Sequence, residues 1–325
     1  MTEILANDYP AAVKRAADIL NNAYNVLIIS HVSPDGDTLG SAFALCRALQ
    51  KIGRKARVEC SDELPAKYGY IIKGMKNDEF EPDIVVSSDI ASENLFGEKL
   101  VKYKDSVALC IDHHPSNSFY AQFTLLDPEA AATCEIIYDV ITQLGVEIDK
   151  DIANCIYTGL STDTGCFRYS NTTPRTLRTA ALMIEKGADA AYINKIMFET
   201  MSRQRLLAET MVMRTLEYHF DGRVAVICIT REIIEQSGVA ESELEGIPSV
   251  PARIEGVLAG ITVKEKDDGS YKISVRTNGE LNASDICANF GGGGHVRAAG
   301  CSVTGSLQEI KSAILKQVKR ALDEK

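Results

Sequence analysis

The stretch LIISHVSPDGDTLGS, residues 27–41, carries an apolar strand directly into one histidine and two aspartates. His31, Asp35 and Asp37 fall within seven residues, and an apolar helical pattern resumes immediately after them. A tight turn needs proline or glycine here, but it does not need three side chains that can bind a metal. A buried strand that ends in such residues is typical of an α/β fold whose functional site lies at the strand ends.

Short runs rich in valine and isoleucine alternate with helical patterns through the first half of the chain. The predicted strands are residues 25–30, 55–60, 83–89 and 106–112, and the predicted helices are residues 39–52, 94–103, 129–144, 150–162 and 174–186. Continuous apolar strands separated by helices are typical of a parallel sheet with both faces covered. We therefore predict a doubly wound, mainly parallel α/β domain over residues 1–187.

The pattern changes after residue 187. Residues 188–217 have helical composition without glycine or proline, which predicts a helical linker. Beyond the linker, three strands are predicted at residues 223–230, 257–265 and 271–277, and KDDGS between the last two has the Asp-Gly signature of a hairpin turn. A glycine-rich loop, FGGGGHVRAAG, and a final amphipathic helix from residue 306 complete a smaller mixed α/β domain, residues 218–325.

The composition is that of a globular protein, with 45% hydrophobic and 25% charged residues among 325. No apolar run reaches the roughly 18 residues that span a bilayer, and residues 1–20 have the pattern of an amphipathic helix instead of a signal peptide. Nine cysteines are scattered without a C-x-x-C pair, which indicates reduced core residues and a cytoplasmic location. A net charge of −10 disfavours tight binding of long duplex DNA.

Other acidic and histidine residues also end predicted strands. Asp89 ends the third strand, and the run Asp112, His113 and His114 ends the fourth. Because ligands of an open parallel sheet bind beyond the carboxyl ends of its strands, we expect these residues to face the same crevice as His31. The segment GLSTDTGCFRYS adds a further candidate ligand, Asp163.

Each of these residues also has an ordinary structural explanation. A single aspartate at a strand end is more often a turn former or a helix N-cap than a ligand, and for Asp89 or Asp163 alone we favour that explanation. The run DHH is different, because an acid and two histidines at the end of VALCI have no packing purpose. Together, the spacing H-x-x-x-D-x-D and the run DHH favour a metal-binding site.

Carboxylate and imidazole ligands without thiolates favour Mn²⁺, with Mg²⁺, Co²⁺ and Zn²⁺ as alternatives. Four aspartates carry about four negative charges, which two divalent ions would balance. Two metals about 3.5 to 4 Å apart activate water and stabilise both the attacking and the leaving oxygen of an in-line phosphoryl displacement. The sequence therefore predicts hydrolysis of a phosphoester.

The motifs HVSPDGDTLGS, SSD, DHH and STDTGCFRYSNTTPRT resemble, in order, the four motifs of the DHH phosphoesterase superfamily. VRTNGELNASDICANFGGGGHVRAAG is similar to the DHH-associated C-terminal domain, so the resemblance covers nearly the whole chain. Length and C-terminal motif most resemble the stand-alone oligoribonuclease and pAp-phosphatase group. The resemblance implies a two-metal enzyme that hydrolyses short oligoribonucleotides, such as nanoRNA and pApA, to mononucleotides, and 3'-phosphoadenosine 5'-phosphate (pAp) to AMP.

The resemblance also implies a role for each site residue. It assigns a first metal to His31, Asp35, Asp89 and Asp163, and a second metal to Asp37, Asp89 and His113. Asp89 would bridge the two ions. His114 would face the substrate phosphate as a proton donor or electrostatic stabiliser, and Asp112 would orient the cluster.

The C-terminal motif supplies the candidate substrate-binding residues. Consecutive glycines let a backbone approach a ligand and turn its N–H groups toward an anion, although a flexible connector is the alternative. The candidates are Arg276, Gly291, Gly292, Gly293, Gly294, His295 and Arg297, together with Arg168 after the fourth motif. The resemblance supports Arg276 and His295 as substrate contacts.

Four alternatives remain at this point. Inorganic pyrophosphatases of family II resemble the N-terminal motifs, but GGGGH favours a nucleotide. A RecJ-type single-strand DNA exonuclease would be longer and more basic, and membrane-bound cyclic-dinucleotide phosphodiesterases carry additional segments, although a stand-alone enzyme could accept c-di-AMP. A non-catalytic nucleotide-binding regulator would not need two metals. The expected partners are short RNA and nucleotides, without long duplexes or membranes, and a homodimer is left open.

Overall fold

A computed structural model of the chain describes residues 8–76, 78–244 and 246–323. The contacts divide the chain into two units, Met1–Thr200 and Met201–Lys325, and the division falls inside the predicted helical linker. All nine cysteines are free, as predicted. Within the described ranges, no helix is both long enough and apolar enough to cross a membrane.

The first unit is built on a five-stranded parallel sheet, as predicted, with the strand order β2-β1-β3-β4-β5. The strands are β1 (Asn25–Ser30), β2 (Lys55–Cys60), β3 (Ile84–Ser88), β4 (Val107–Asp112) and β5 (Phe123–Leu126). Val26 and Ile28 join one buried core, while Leu27 and Ile29 join another, because alternate residues of a strand face opposite sides. Both faces of the sheet are therefore covered.

This strand order creates a topological switch point between β1 and β3, where chain connections leave in opposite directions. Such a point opens a crevice beyond the carboxyl ends of the two strands. His31 directly follows β1 and Asp89 directly follows β3. The topology thus brings residues from two separate motifs to one edge of the sheet.

Helices flank the sheet and carry the rest of the first unit. They are α1 (Tyr9–Asn21), α2 (Gly36–Lys51), α3 (Gly69–Ile72), α4 (Gly97–Leu100), α5 (Thr133–Gln143), α6 (Lys150–Asp163), α7 (Pro174–Glu185) and α8 (Ala190–Asn194). Residues 1–7 of the predicted first helix lie outside the described residues, and α1 begins after the N-cap Asp8. Helix α2 packs closely against α6 at Gly40. A Cβ at this position would lie only 2.5 Å from the Cys155 carbonyl oxygen.

Two features of the first unit differ from the predictions. The expected helix over residues 94–103 is broken into the 3₁₀ turn Glu93–Leu95, the single turn α4 and the 3₁₀ turn Val101–Tyr103. Gly97 interrupts the helical pattern, since its φ of +69° lies in the left-handed region. Strand β5 was not predicted; it is only four residues long and pairs with β4 at the sheet edge.

The second unit contains a six-stranded mixed sheet with the order β10-β11-β9-β8-β7-β6. The strands are β6 (Glu217–His219), β7 (Val224–Ile229), β8 (Ala259–Glu265), β9 (Tyr271–Thr277), β10 (Gly293–His295) and β11 (Ala298–Val303). The helices are α9 (Arg203–Met213), α10 (Arg231–Ser237), α11 (Ala283–Ala288) and α12 (Leu307–Asp323). Strands β8 and β9 form the predicted antiparallel hairpin, closed by a bond from Lys266 N to Ser270 O of 2.8 Å.

The glycine-rich segment is only partly the loop that the sequence predicted. Gly293, Gly294 and His295 form β10, which pairs antiparallel with β11 opposite Gly300, Ala299 and Ala298. The second half of the glycine run is thus fixed in a hairpin. Glycines disfavour strands in general, which is why the pattern predicted a loop.

Candidate metal centre and substrate-binding residues

Asp89 lies at the centre of the candidate site. It is a buried, non-glycine residue with a φ of +62°, and its N–H donates to the Ile111 carbonyl at 2.9 Å. Backbone strain of this kind, worth of order 1 kcal/mol or more, clusters at functional sites. The carboxylate lies between two histidines, with Oδ2 3.6 Å from His31 Nε2 and Oδ1 3.7 Å from His113 Nε2.

The two histidines present the same nitrogen to the carboxylates. His31 Nδ1 lies 2.7 Å from the Val32 carbonyl oxygen, and His113 Nδ1 lies 3.1 Å from the Ala130 carbonyl oxygen. A carbonyl can only accept a hydrogen bond, so each Nδ1 carries the proton of the neutral ring and each Nε2 keeps its lone pair. Backbone carbonyls orient histidines in this way at many metal sites.

The ligand atoms fall into three overlapping groups, in each of which the atoms lie within 4.8 Å of one another. The groups are His31 with Asp35 and Asp89, Asp37 with His113 and Asp163, and Asp89 with His113 and His114. All six predicted metal ligands are therefore brought together. Asp35 also serves as the N-cap of α2, where its Oδ1 accepts from Asp37 N and Thr38 N, both at 3.0 Å.

Asp163 lies in a different group of candidate metal ligands from the one that the resemblance implied. The resemblance placed it with His31 and Asp35, whereas in the structure its Oδ2 lies 3.3 Å from His113 Nε2. Asp163 is the last residue of α6, so its position depends on how that helix packs. Sequence motifs alone do not contain this information.

The charges of the site favour a cation. Burial, together with the charges of Asp89 and Asp163, raises the pKa of Asp35 to about 6 and raises the pKa of Asp37 well above its ordinary value. Burial, followed by the charge of Asp89, also raises the pKa of Asp163. A cation between these carboxylates would remove the cost of burying them together.

The neighbouring carboxylates also raise the pKa values of His31 and His113. Burial alone would lower the pKa of His31, but its interaction with Asp89 and the charge of Asp35 outweigh burial and raise this pKa to about 9. Burial is likewise outweighed at His113, whose pKa rises to about 10 through Asp163 and Asp37. His113 Nε2 is buried without a hydrogen-bond partner in the described part of the chain. The donor set therefore fits divalent metal ions, which would replace the protons on these nitrogens.

His114 lies at the edge of this arrangement, with Nδ1 3.5 Å from Asp89 Oδ1, and a buried carboxylate orients its ring. Its Nδ1 lies 2.7 Å from Asp112 Oδ1, and Asn117 Nδ2 donates to Asp112 Oδ2 at 2.6 Å. The hydrogen bond to Asp112 raises the pKa of His114 despite partial burial. The imidazole is 42% exposed, so its Nε2–H can serve as a donor to a ligand. Asn117 was not predicted as a site residue, since PSN after DHH has the composition of an ordinary turn.

Gly159 on α6 makes room for Asp37. A Cβ at this position would lie 2.4 Å from Asp37 Oδ1 and 2.3 Å from Cys134 Sγ. Gly159→Ala is therefore expected to lower the free energy of unfolding by about 1 to 3 kcal/mol, because buried groups must shift. Chemical denaturation measures this change, and Gly69→Ala is the matched control, since open space surrounds Gly69. Equal stability of the two variants would contradict the expectation.

In the second unit, the sheet register places two of the predicted substrate contacts in one row. Ala298 pairs with Arg276 on one side and with His295 on the other. Residues directly opposite each other on neighbouring strands share a face, so the arginine and the histidine lie on one face about 10 Å apart. Arg297 is exposed beside this row, and its Nη1 donates to the Leu281 carbonyl at 3.3 Å.

The four glycines have different surroundings. A Cβ on Gly292 would lie 2.3 Å from the Gly300 carbonyl oxygen, and one on Gly294 would lie 2.5 Å from the Ala298 carbonyl oxygen, so the hairpin itself requires both glycines. Gly291 and Gly293 are exposed and have open space around them. Only these two remain free for the close approach of a ligand.

Arg168 follows α6 by five residues and is exposed. Its Nε donates to the Gly165 carbonyl at 2.5 Å, and its guanidinium lies 5.9 Å from the centroid of the Phe198 ring. These contacts hold the side chain against its own loop and against the helical turn Lys195–Glu199. The predicted contact between Arg168 and substrate stays a prediction.

Comparison with known proteins identifies the family. Residues 25–160 match the DHH family, N-terminal domain, and residues 221–324 match the DHHA1 domain. The bifunctional oligoribonuclease and PAP phosphatase NrnA of Thermus thermophilus is 31% identical over 304 residues, which cover 91% of this chain and 90% of that protein. The chain belongs to the DHH family. Within its DHH domain lie all the predicted metal ligands except Asp163, which follows the matched region by three residues.

Two solved structures are similar to this DHH-family chain. An exopolyphosphatase-related protein of Bacteroides fragilis superposes with a TM-score of 0.84 at 26% identity, covering 100% of this chain and 98% of that one. RecJ of Thermus thermophilus in complex with Mn²⁺ superposes with a TM-score of 0.58 at 14% identity, covering 95% of this chain and 55% of RecJ. At such low identity, the likeness to RecJ concerns the fold alone.

Proposed function

We propose that this DHH-family chain is a two-metal phosphoesterase that hydrolyses short oligoribonucleotides to mononucleotides and pAp to AMP. The observation that carries this proposal is the convergence of four aspartates and two histidine Nε2 atoms at the switch point of the sheet. The substrate class follows the printed name of the NrnA relative. We place the activity in the cytoplasm, where nine free thiols would stay reduced.

The residues divide naturally between two ions. His31 and Asp35 would hold one ion, Asp37, His113 and Asp163 would hold the other, and Asp89 would be shared. We favour Mn²⁺, because imidazole and carboxylate ligands suit it and because a RecJ structure of the same fold contains it. When bound, the ions would lower the pKa of a water ligand and neutralise charge on the phosphate.

His114 would act on the substrate, and Asp112 and Asn117 would act through His114. Asp112 accepts from His114 Nδ1 and favours the imidazolium, whose Nε2–H would then donate to the phosphate or to the departing oxygen. Asn117 keeps Asp112 in place through its 2.6 Å hydrogen bond. Arg276 and His295 supply the cationic and hydrogen-bonding groups that a second phosphate or a nucleotide requires.

Hydrolysis of a substrate panel tests the proposal. With Mn²⁺ present, the panel contains pAp, pApA, a 5-mer RNA, a 24-mer RNA, c-di-AMP, pyrophosphate and tripolyphosphate, and Asp35→Ala is the inactive control. We expect mononucleotides from pAp, pApA and the 5-mer, with slow cleavage of the 24-mer. Exclusive hydrolysis of c-di-AMP, pyrophosphate or tripolyphosphate would overturn the substrate class, and no turnover at all would favour a nucleotide-binding regulator.

Arg276→Ala is expected to raise the KM for pApA about 10- to 100-fold, with a much smaller effect on kcat. The reason is that a charge-assisted hydrogen bond to phosphate contributes about 1.5 to 3 kcal/mol to binding. Steady-state kinetics separates the two constants. Arg223→Ala, which removes an exposed arginine elsewhere in the same unit, is the control. An unchanged KM would remove Arg276 from the substrate site.

A further inference from the structure

Thr133, the first residue of α5, contacts two of the candidate metal ligands at once. Its backbone N–H donates to Asp37 Oδ2 at 2.6 Å, and its hydroxyl donates to Asp89 Oδ1 at 2.9 Å. The next residue adds a third bond, from Cys134 N to Asp37 Oδ1 at 3.0 Å. Asp37 belongs to α2 and Asp89 follows β3, so Thr133 connects carboxylates from two separate motifs.

The start of α5 lacks a conventional cap. Its N-cap residue is Ala132, which has no side chain that could accept from the first N–H groups of the helix. Asp37 takes this role from a distant part of the sequence and accepts one bond on each carboxylate oxygen. Each oxygen keeps a second lone pair, so Asp37 is oriented without losing its capacity to bind a metal.

The hydroxyl of Thr133 has no acceptor in a preceding turn of its own helix, because Thr133 is the first residue of α5. A threonine inside a helix can donate to the carbonyl four residues earlier, as Thr158 does to the Asn154 carbonyl oxygen at 2.7 Å. Thr133 is fully buried and instead directs its hydroxyl to Asp89. This bond leaves Asp89 Oδ2 facing His31 and fixes the rotation of the carboxylate.

We propose that Thr133 is a positioning residue that holds Asp37 and Asp89 in the orientation required for metal binding. This inference rests on the proposed two-metal phosphoesterase. Thr133 touches neither substrate nor metal in this role; it acts through the two carboxylates. Loss of such a supporting hydrogen bond typically lowers metal affinity about 10- to 100-fold.

Two variants separate the hydroxyl from the shape of the side chain. Thr133→Val keeps the volume and the backbone bond to Asp37 but removes the hydroxyl, whereas Thr133→Ser keeps the hydroxyl. Mn²⁺ affinity is measured by calorimetry on metal-free protein, and kcat is measured separately. We expect a 10- to 100-fold weaker affinity and a lower kcat for the valine variant, with the serine variant within about threefold of the unaltered protein.

The matched control is Thr124→Val on β5. Thr124 is also buried, but its hydroxyl has no hydrogen-bond partner in the described part of the chain, so its loss should leave Mn²⁺ affinity unchanged. If Thr133→Val does not fold, Thr133→Ala compared with Thr133→Ser tests the same hydroxyl. Unaltered affinity in the valine or alanine variant, or equal losses in all variants of Thr133, would overturn the proposal.

Direct metal binding also distinguishes this proposal from the proposed function. Protein whose Mn²⁺ affinity depends on the Thr133 hydroxyl, but which hydrolyses no substrate of the panel, would support the positioning role and contradict the proposed activity. If the unaltered protein hydrolyses pApA and the Thr133→Val variant binds Mn²⁺ with unchanged affinity, the proposed activity is supported and the positioning role is contradicted. Protein that binds no Mn²⁺ would overturn the positioning role.

Discussion

Asp89→Asn is expected to lower kcat on pAp and short RNA by on the order of 10³-fold or more. Asp89 lies between the two proposed metal positions, with Oδ2 3.6 Å from His31 Nε2 and Oδ1 3.7 Å from His113 Nε2. An amide keeps the shape of the side chain but loses the negative charge that two cations would share. Both metal positions should therefore weaken together.

The measurement combines kcat with Mn²⁺ calorimetry, and thermal unfolding verifies that the variant folds. Asp105→Asn is the control, because Asp105 is an exposed aspartate of the same unit. We expect the control to match the unaltered protein in both activity and metal affinity. An Asp89→Asn variant that retains a tenth of the activity would show that Asp89 does not bridge two ions.

The central strands β1, β3 and β4 of the first sheet could be predicted closely because they are buried on both sides. Residues 25–30 were predicted to be a strand at the position of β1, since a continuous apolar run leaves few alternatives. The prediction of one helix over residues 94–103 was wrong, because a tertiary contact interrupts the segment. Its apolar residues fit a helix, but Gly97 is pressed against Val32 and Ser61 with a left-handed φ, which is a tertiary constraint that periodicity does not record.

In the site, too, residues at strand ends could be predicted from the sequence, whereas residues placed by tertiary packing could not. His31 and Asp89 could be placed together from the sequence, because the carboxyl ends of neighbouring parallel strands meet at one edge. Thr133 and Asn117 could not, since both contribute through side-chain hydrogen bonds, to Asp89 and to Asp112, that depend on packing. The second half of the glycine run was missed as a strand because its pairing with β11 offsets a poor local propensity.

His114→Ala is expected to lower kcat by about 10²- to 10⁴-fold, which is the usual contribution of a general acid. The Mn²⁺ affinity should change by less than about threefold, because His114 Nδ1 is already bonded to Asp112. Loss of turnover with intact metal binding would separate this residue from Asp89. The measurements are again kcat and calorimetry of Mn²⁺ on metal-free protein.

The control for this variant is His219→Ala, which removes a histidine from β6 in the second unit. The contrary outcome is informative, because Asp89, His113 and His114 also offer ligand atoms within 4.8 Å of one another. If His114→Ala weakened Mn²⁺ binding as strongly as Asp89→Asn, His114 would be a metal ligand. The hydrogen bond to Asp112 would then orient a ligand, as carboxylates do at many metal-bound histidines, and proton donation would have to come from another group.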